Sequence, residues 1–481
     1  MVDIVADLHL HSKYSRAVSP QMTPPVMAEV GKKKGIDLLA TGDWTHPVWL
    51  REIRQYLGDA EEGLYKIKNP QKGQEATRFL LSVEIATIFT QGGKGRRIHN
   101  LVFVPSFEVA EKVNKELLKR GFNLSSDGRP ILGLSSKNLL QLILDIDERS
   151  LLIPAHAWTP WFGIYGQMSG FQSLPEAFED LAPYVYGIET GLSSDPEMNW
   201  QMKELETRSI LSFSDAHSPA KMGREATVFR LSELSYSAIR EAIMQPSQHN
   251  VIASKAKQSQ EIATSPAAPR NDVVNKVLYT VEFYPEEGKY HYSGHRNCNV
   301  SMTPEEQLAA HGICPMCHRK VTDGVMRRVQ ELAGEFKVES SELRIKKKTN
   351  EMGLEWITDA TGKHPPFVRI VPLLEIIAEA IGSPVGSVKV SAIFESLTEK
   401  FGSELDILLK IPKENIKQAS IPAAMKIAEG IEKVRGENIV IKPGYDGVYG
   451  VVKIWNEDKD KGLMINDKEE KTVEKQLGLD L

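Results

Sequence analysis

Two histidines near the N-terminus, His9 and His11, are the first residues whose type and spacing could do chemistry. They follow a short apolar segment, and side chains two residues apart on a strand point to the same face. Both imidazoles could therefore hold one metal ion. A His-x-His pair also occurs by chance in many proteins, so its meaning depends on the rest of the chain. The N-terminal half repeatedly places acids and histidines directly after short apolar segments, which favours the metal interpretation.

Nine such residues are predicted metal ligands. Zinc, manganese and iron accept imidazole nitrogens as well as carboxylate oxygens, and hard divalent cations prefer carboxylates. Each residue alone has an ordinary structural explanation: His46, before Pro47, could begin a helix, and His99 could be a buried core histidine. A further acid, Glu189, ends an apolar segment but is not assigned as a ligand. The predicted ligands are His9, His11, Asp43, His46, Glu84, His99, His156, Asp215 and His217.

The elements that must position these residues alternate between short strands and helices from Met1 to about Gln248, as in an α/β fold. Strand ends in a parallel α/β barrel converge on one mouth, where such barrels hold their active sites. We therefore expect the ligands, which lie at predicted strand ends, to meet there. The predicted strands are Ile4–Ala6, Leu38–Thr41, Arg78–Val83, Ile98–Phe103, Leu151–Pro154, Tyr186–Glu189 and Ile210–Ser212, and the predicted helices include Pro24–Lys34, Pro47–Tyr56, Phe107–Arg120 and Lys137–Glu148.

The order His-x-His, Asp, Glu, His, His, Asp-x-His over residues 1–247 resembles the polymerase and histidinol phosphatase (PHP) domain, a distorted barrel that binds up to three metals. The resemblance implies one metal at His9, His11, Glu84 and Asp215, a second shared by Glu84 with His99 and His156, and a third near Asp43 and His217. The sequence departs from the PHP pattern after His-x-His, where an acid or histidine is usual. Arg16 lies in that segment and could instead hold a phosphate.

Aromatic and basic residues near the ligands, and a lysine run further along the chain, are candidates for contact with DNA. Aromatic rings could stack on an extruded base, or they could form a hydrophobic lid or core. Basic side chains could follow a phosphate backbone, although most such runs are solvated. The candidates are Trp44, Trp158, Trp161, Phe162, Arg96, Arg97, Lys346, Lys347 and Lys348.

The three cysteines of the chain lie within twenty residues of each other. The spacing His295-x2-Cys298 followed by Cys314-x2-Cys317 is typical of the paired turns of a zinc ribbon. Four ligands would close the coordination shell, so this zinc is expected to hold structure and not to catalyse. His291 and His318 are rivals of His295 for the fourth position.

The composition is that of an ordinary globular chain: 481 residues, 41% hydrophobic and 26% charged, with a net charge of -5. No apolar run reaches the length of a bilayer span and the N-terminus lacks a signal pattern, so we expect a cytoplasmic protein without a membrane partner. Because the chain is mildly acidic, a nucleic-acid role would have to rest on local basic patches.

Shifts in composition predict five segments. Residues 249–275 are small, polar and proline-bearing, and residues 456–481 are rich in Lys, Glu and Asp, so both are predicted to be flexible. The last six residues resemble the Gln-Leu-x-Leu-x-Leu peptide that docks on bacterial sliding clamps, with Gln476, Leu477, Leu479 and Leu481 as the binding candidates. The segments are a PHP domain at 1–248, an insertion at 249–275, a zinc-binding domain at 276–325, a helical domain with a terminal β-hairpin at 326–455, and a tail at 456–481.

The PHP pattern, the motifs His-Arg-Asn-Cys and Cys-Pro-Met-Cys, and Lys-Pro-Gly-Tyr-Asp-Gly-Val-Tyr-Gly near the C-terminus together resemble the endonuclease Q family. The resemblance implies a distorted barrel, a zinc ribbon and a mainly helical C-terminal domain. It also implies an enzyme that nicks DNA on the 5′ side of deaminated bases (uracil, hypoxanthine, xanthine) or abasic sites, leaving a 3′-hydroxyl and a 5′-phosphate.

On this view two or three divalent metals (Zn²⁺, Mn²⁺ or Mg²⁺) occupy the barrel besides one structural zinc. Damaged DNA is the partner and the protein acts as a monomer. Asp215, Glu84, His217 and Arg16 are the predicted catalytic residues. A phosphatase of small phosphomonoesters is the main alternative, although it would leave the segments after the barrel without a role. A non-catalytic DNA-binding or clamp-recruited scaffold is the other.

Overall fold

The computed structural model describes residues 1–246, 275–335 and 345–456. In these residues one 13-stranded sheet runs from the first strand of the chain to the edge of the C-terminal helices. The strands are β1 (Val2–Asp7), β2 (Leu38–Ala40), β3 (Leu57–Asp59), β4 (Tyr65–Ile67), β5 (Arg78–Gln91), β6 (Lys94–Val104), β7 (Ile131–Leu132), β8 (Leu151–Pro154), β9 (Gly187–Glu189), β10 (Ser209–Leu211), β11 (Ala226–Leu231), β12 (Lys276–Glu282), β13 (Ser293–His295), β14 (Val300–Met302), β15 (Ile345–Thr349), β16 (Glu355–Asp359), β17 (Phe367–Arg369), β18 (Val440–Lys442) and β19 (Val451–Lys453).

Helices cover the sheet and build the C-terminal part of the molecule. Five short 3₁₀ helices lie between these elements in the described residues, at Glu179–Tyr184, Lys203–Thr207, Pro219–Lys221, Pro285–Glu287 and Arg296–Cys298. The α-helices are α1 (Pro24–Lys34), α2 (Pro47–Tyr56), α3 (Phe107–Lys119), α4 (Ser136–Ile146), α5 (Leu174–Phe178), α6 (Pro196–Asn199), α7 (residues 236–246), α8 (Pro304–Ala309), α9 (Val325–Glu335), α10 (Leu373–Ile381), α11 (Val388–Phe401), α12 (Glu404–Leu409), α13 (Lys413–Lys417) and α14 (Ala424–Arg435).

The N-terminal strands form a distorted barrel. β1 pairs in parallel with β2 and β2 with β5, whereas β6 and β8 continue from β5 in antiparallel pairs, and β9 pairs in parallel with β10. Loop bonds complete the ring: the His11 N–H donates to Ala216 O (3.3 Å), and the Ala157 N–H donates to Glu189 O (2.9 Å). The strand ends therefore converge on one mouth, as predicted.

The sheet does not stop at the predicted end of the first domain. β12, which follows residue 275, pairs antiparallel with β11, and β17, β16 and β15 continue the same sheet. Val277 and Val281 of β12 are buried. Without β12, the edge of β11 would present unpaired backbone groups. The predicted zinc-binding segment thus contributes a strand to the barrel's sheet before it turns to the cysteines.

Helices α10 to α14 pack around a separate apolar core that includes Ile376, Leu397 and Ile427. A buried ion pair, Lys34 Nζ to Glu404 Oε2 at 2.7 Å, joins helix α1 to helix α12. The α/β fold class with a mainly helical C-terminal part, predicted from the sequence, is confirmed. Within the described ranges, none of the helices is long and apolar enough to cross a bilayer.

Candidate metal centre

The His-x-His pair leaves the end of β1 in an extended loop that is fixed from two sides. Leu10 forms a β-bridge with Ala216, which brings the loop after β10 alongside. Gly42, with a φ of +61°, lies so close that a Cβ there would come 2.3 Å from Leu10 O. Only glycine fits this approach and this conformation. The segment after β2 is thereby held against His11.

Glu84 lies at the centre of the site, on β5, and is almost fully buried. Its Oε1 lies 2.5 Å from His99 Nδ1 and 2.9 Å from His156 Nε2. Its Oε2 lies 3.6 Å from His11 Nε2. One carboxylate therefore faces His99 inside β6 and two histidines in the segments after β1 and β8, His11 and His156. Each of its oxygens could contact a different ion.

His9 is oriented by Glu189, the acid at the end of β9 that was not predicted to take part. The carboxylate accepts from His9 Nδ1 (2.9 Å) and from the His156 N–H (2.7 Å). A proton on Nδ1 leaves Nε2 free to bind a metal. His9 Nε2 lies 3.5 Å from Asp215 Oδ1 and 3.8 Å from Glu84 Oε1.

Asp215 and His217 come from the loop after β10 and lie at the open side of the site, with side chains 27% and 29% exposed. Asp215 Oδ1 lies 2.9 Å from His11 Nε2. His217 Nδ1 lies 2.9 Å from the Asp215 carbonyl oxygen, so this nitrogen donates and Nε2 remains available. These two residues are the part of the centre that a substrate can reach.

Three overlapping groups result, each with ligand atoms within 4.8 Å of one another: His9, His11 and Glu84; His11, Asp215 and His217; and Glu84, His99 and His156. The donor set fits divalent metals that accept both imidazole and carboxylate. Within the described residues, His9 Nε2 and Glu84 Oε2 are buried without any hydrogen-bond partner. Buried polar atoms rarely lack a partner, so the orphaned atoms point to ions bound between them.

Opposite charges shift the pKa of the groups in this centre. Burial alone would raise the pKa of Glu84, but His99 and His156 hold it well below its usual range. Burial would lower the pKa of His11, but hydrogen bonds to Asp215 and Asp43 raise it to about 9. The carboxylates are therefore ionised, and metal ions would compete with protons for the same nitrogens.

Asp43 and His46 lie outside these three groups. Asp43 is fully buried and accepts from the Ser12 N–H and hydroxyl (both 2.6 Å) and from the Ser15 hydroxyl (2.8 Å). Its other oxygen lies 3.4 Å from His11 Nδ1, so it orients that ring. His46 begins helix α2, where its ring accepts from the Trp49 N–H (3.3 Å). The helix-start explanation of His46 is the one that the geometry matches.

Two of the predicted aromatic contacts and one arginine lie where DNA cannot reach them. Trp44 and Trp158 are buried, and the Trp158 indole donates to Asn199 Oδ1 (2.7 Å). Their apolar surfaces fill the core, which was the alternative explanation. Arg96 is also buried, and its guanidinium donates to Glu176 Oε1 (2.8 Å) and stacks on Phe171.

The other candidates lie at accessible positions. Trp161 is 42% exposed with the Arg97 guanidinium over its ring, and Phe162 packs on His99 with ring centroids 4.4 Å apart. The three lysines form part of β15, an exposed edge strand. Lys347 bonds to Glu355 and Glu437, whereas Lys346 and Lys348 lie on the opposite face of the strand. Arg16 is exposed at the rim.

The predicted zinc ligands converge as well. Ligand atoms of His295, Cys298, Cys314 and Cys317 lie within 4.8 Å of one another. Of the rivals, His291 is buried elsewhere with its pKa lowered by burial to about 4, and His318 does not join the group. The geometry therefore favours His295 as the fourth ligand. The clamp candidates Gln476, Leu477, Leu479 and Leu481, most of the predicted insertion and the tail after residue 456 lie outside the described residues.

Comparisons with known proteins extend these observations. A family model described as the MJ0043 C-terminal domain matches residues 372–438. Among curated proteins, the chain is 25% identical to the uncharacterized protein YqxK of Bacillus subtilis, over 94% of this chain and 100% of that protein. It is also 25% identical to the uncharacterized protein MJ0043 of Methanocaldococcus jannaschii over 62% of this chain, but it spans only 31% of that protein's length.

Two solved structures match at a TM-score of 0.72. One is the lesion-specific endonuclease PfuEndoQ from Pyrococcus furiosus, which is 27% identical and aligns over 97% of this chain and 100% of that one. The other is endonuclease Q in complex with a 27-mer duplex carrying an abasic lesion at the active site, 28% identical over 95% of this chain and 98% of that one. The resemblance to the endonuclease Q family that the sequence motifs indicate is therefore confirmed along almost the entire chain.

Proposed function

We propose that this protein is a metal-dependent endodeoxyribonuclease that hydrolyses a phosphodiester of lesion-containing duplex DNA. The observation that carries the proposal is the set of three ligand groups linked through Glu84 and His11 at one barrel mouth. A chain with this centre aligns over nearly its full length with a lesion-specific endonuclease. As in the family it resembles, cleavage is expected on the 5′ side of a deaminated base or an abasic site, leaving a 3′-hydroxyl and a 5′-phosphate.

Divalent ions held by these ligand groups would supply positive charge to stabilise the oxygens that gain negative charge during hydrolysis. The residues of the chain have distinct tasks around that chemistry. Glu84 holds two ligand groups at a fixed separation through its two oxygens. Asp215, at the exposed side, can accept a hydrogen bond from the attacking water and so orient it. His217 keeps the lone pair of Nε2 available beside Asp215, where it could serve as a metal ligand.

The loop at residues 157–171 and the zinc module, here defined as residues 293–322, supply the proposed DNA contacts. Trp161 presents an exposed ring with the Arg97 guanidinium over it, and the next residue, Phe162, packs on His99. An exposed indole can stack on an unpaired base. A structural zinc at His295, Cys298, Cys314 and Cys317 would fix the module. We place Zn²⁺, Mn²⁺ or Mg²⁺ in the barrel, with the choice among them open to measurement.

The decisive experiment compares Asp215→Ala with wild type on duplexes carrying uracil, hypoxanthine or an abasic site, with magnesium or manganese. We expect the variant to lose nicking by a factor of at least about a thousand while it still binds the duplex, because the substitution removes both a member of one ligand group and the group that orients the water. Nicking retained by Asp215→Ala would overturn the role of the centre. Release of phosphate from small phosphomonoesters without nicking would favour the phosphatase alternative.

The C-terminal residues Gln476, Leu477, Leu479 and Leu481 remain candidates for docking on a sliding clamp. The proposal rests on the sequence pattern alone, in which apolar anchors end a charged segment. Deletion of residues 476–481 should abolish clamp binding in a pull-down and leave nicking of short duplexes unchanged. Monomeric behaviour in solution is expected and can be measured by light scattering.

A further inference from the structure

Arg129 is a cation at the metal centre that the sequence patterns do not single out. Its Nη1 lies 3.9 Å from Glu84 Oε2, and the side chain is 25% exposed. The distance is too long for a hydrogen bond. Glu84, Asp215, Asp127 and Asp43 all act to raise the pKa of Arg129, against the effect of its burial. A permanently charged and partly exposed guanidinium therefore lies beside the ligand Glu84.

The loop that carries Arg129 is fastened directly to the metal centre. Gly128 lies so close to the buried carboxylate of Asp43 that a Cβ at this position would come 2.4 Å from its Oδ2. The Gly128 N–H donates to Tyr14 O (3.1 Å), and Pro130 O accepts from the Ala86 N–H (3.0 Å). The loop is thus bound to the His-x-His segment on one side and to β5 on the other. Arg129 is held in place by its backbone and needs no bond to Glu84.

Glu84, the carboxylate that pairs with Arg129, is also the residue that two of the three ligand groups share. Within the described residues, Glu84 is the carboxylate with which Arg129 forms an ion pair. Metal ions on Glu84 would take up its negative charge, so the guanidinium would then lack an anionic partner. A half-buried charge without a partner is unfavourable. An anion bound beside the guanidinium would remove this cost.

We propose that Arg129 is a catalytic residue of the proposed nuclease whose guanidinium binds a non-bridging oxygen of the scissile phosphate. Arginine suits this task because its planar fork pairs with phosphate through two hydrogen bonds. The inference rests on the proposed function and adds the group that selects a phosphate at the mouth. It assigns the phosphate-binding role to Arg129 and not to Arg16, the arginine predicted from the sequence. Arg16 is exposed, and its carbonyl oxygen accepts from Arg129 Nη2 (3.4 Å).

The test compares Arg129→Gln, Arg129→Lys and wild type in the metal-loaded full chain. Inorganic phosphate is the first probe, titrated by calorimetry, and kcat and KM on an abasic duplex are the second. We expect Arg129→Gln to lose affinity for phosphate and kcat/KM by roughly ten- to a hundredfold, the range expected for a lost hydrogen bond to a charged group. Arg129→Lys should recover part of both, since it keeps the charge without the fork.

Arg120→Gln is the matched control, because Arg120 pairs with Glu116 at the end of α3. Metal content separates the proposed role from a merely structural one and should be equal in all variants. Loss of barrel metals in Arg129→Gln would overturn the proposal, as would phosphate binding that is undetectable in wild type or unchanged by the substitution. If wild type fails to nick any lesion duplex but phosphate affinity falls in Arg129→Gln alone, the nuclease proposal fails and phosphate recognition by Arg129 stands.

Discussion

At the scale of single residues, Glu189 determines which nitrogen of His9 faces the ligand cluster. Its two oxygens accept from His9 Nδ1 and from the His156 backbone, so one buried carboxylate fixes two ligands. A neutral amide in its place would direct its NH2 group at one of these two donors, because only one of its two terminal atoms can accept a hydrogen bond. The ring of His9 would then be free to turn away from Glu84.

The first prediction is therefore that Glu189→Gln weakens metal binding in the barrel by about ten- to a hundredfold, the effect usual for groups that orient a metal-ligating histidine. Competition with a chromogenic chelator measures it. Glu204→Gln is the control, because Glu204 is also a largely buried carboxylate that accepts from Tyr165, outside the ligand groups. Equal metal affinity in both variants would contradict the orienting role.

At the scale of elements, β12 brings a carboxylic acid into the barrel wall. Glu282, at the end of this strand, is fully buried and accepts from the Ser212 hydroxyl (2.5 Å). Burial raises its pKa from an ordinary value of 4.5 to about 8, and burial with the nearby Glu282 raises the pKa of Glu225 well above its usual range. In the folded protein Glu282 keeps a proton at neutral pH that the unfolded chain has released.

The stability that this proton contributes is complete below about pH 4.5 and is lost as the pH rises through about 8. Glu282→Gln mimics the protonated acid and removes this dependence. From pH 5 to pH 9 the free energy of unfolding of wild type should fall by at least about 1 kcal/mol more than that of Glu282→Gln, since each unit of pKa shift corresponds to about 1.4 kcal/mol. Urea unfolding at both pH values measures the change. The control is Glu233→Gln at an exposed position, whose free energy of unfolding should change with pH as that of wild type does. The same pH dependence in Glu282→Gln and in wild type would refute the prediction.

The elements were predictable where local pattern decides them. The predicted strand Leu151–Pro154 coincides with β8, and the predicted helix Pro24–Lys34 coincides with α1, because an apolar run and a proline at the first helical turn are local signals. The same pattern places His11, His156 and Asp215 directly after strands. Glu84 and His99 instead lie inside β5 and β6, because these two strands pair with each other beyond the predicted bounds. Arg129 does not follow from the pattern, because its place depends on a close approach between Gly128 and Asp43. The pairing of the lysine run with Glu355–Asp359 likewise depends on contacts that no local pattern encodes.

At the scale of the whole molecule, the zinc module connects the barrel mouth with the C-terminal hairpin. Arg328 of α9, just after the module, donates to the carbonyls of Tyr165 (3.1 Å) and Phe171 (3.2 Å) in the loop at residues 157–171. On the other side, Asp446 accepts from the Arg296 N–H (2.7 Å) and the Thr322 hydroxyl (2.6 Å). The N–H of Gly324, at the start of α9, donates to the Ser293 hydroxyl of the module (2.9 Å), so α9 links the module to the loop that places Phe162 on His99.

Loss of the proposed zinc should loosen both connections without emptying the barrel. Cys314, fully buried in the module, is the most informative ligand to replace. Cys314→Ser should lose one equivalent of zinc and destabilise the module by several kcal/mol, on the order expected for a structural site. Amide exchange across residues 157–171 should accelerate, and KM for lesion duplex should rise because the loop is no longer held in place.

Met316→Ser, at a position 70% exposed between the two cysteines, is the control and should leave zinc content and amide exchange as in wild type. Full zinc content in Cys314→Ser, or unchanged exchange in the loop, would show that the module does not position the barrel mouth.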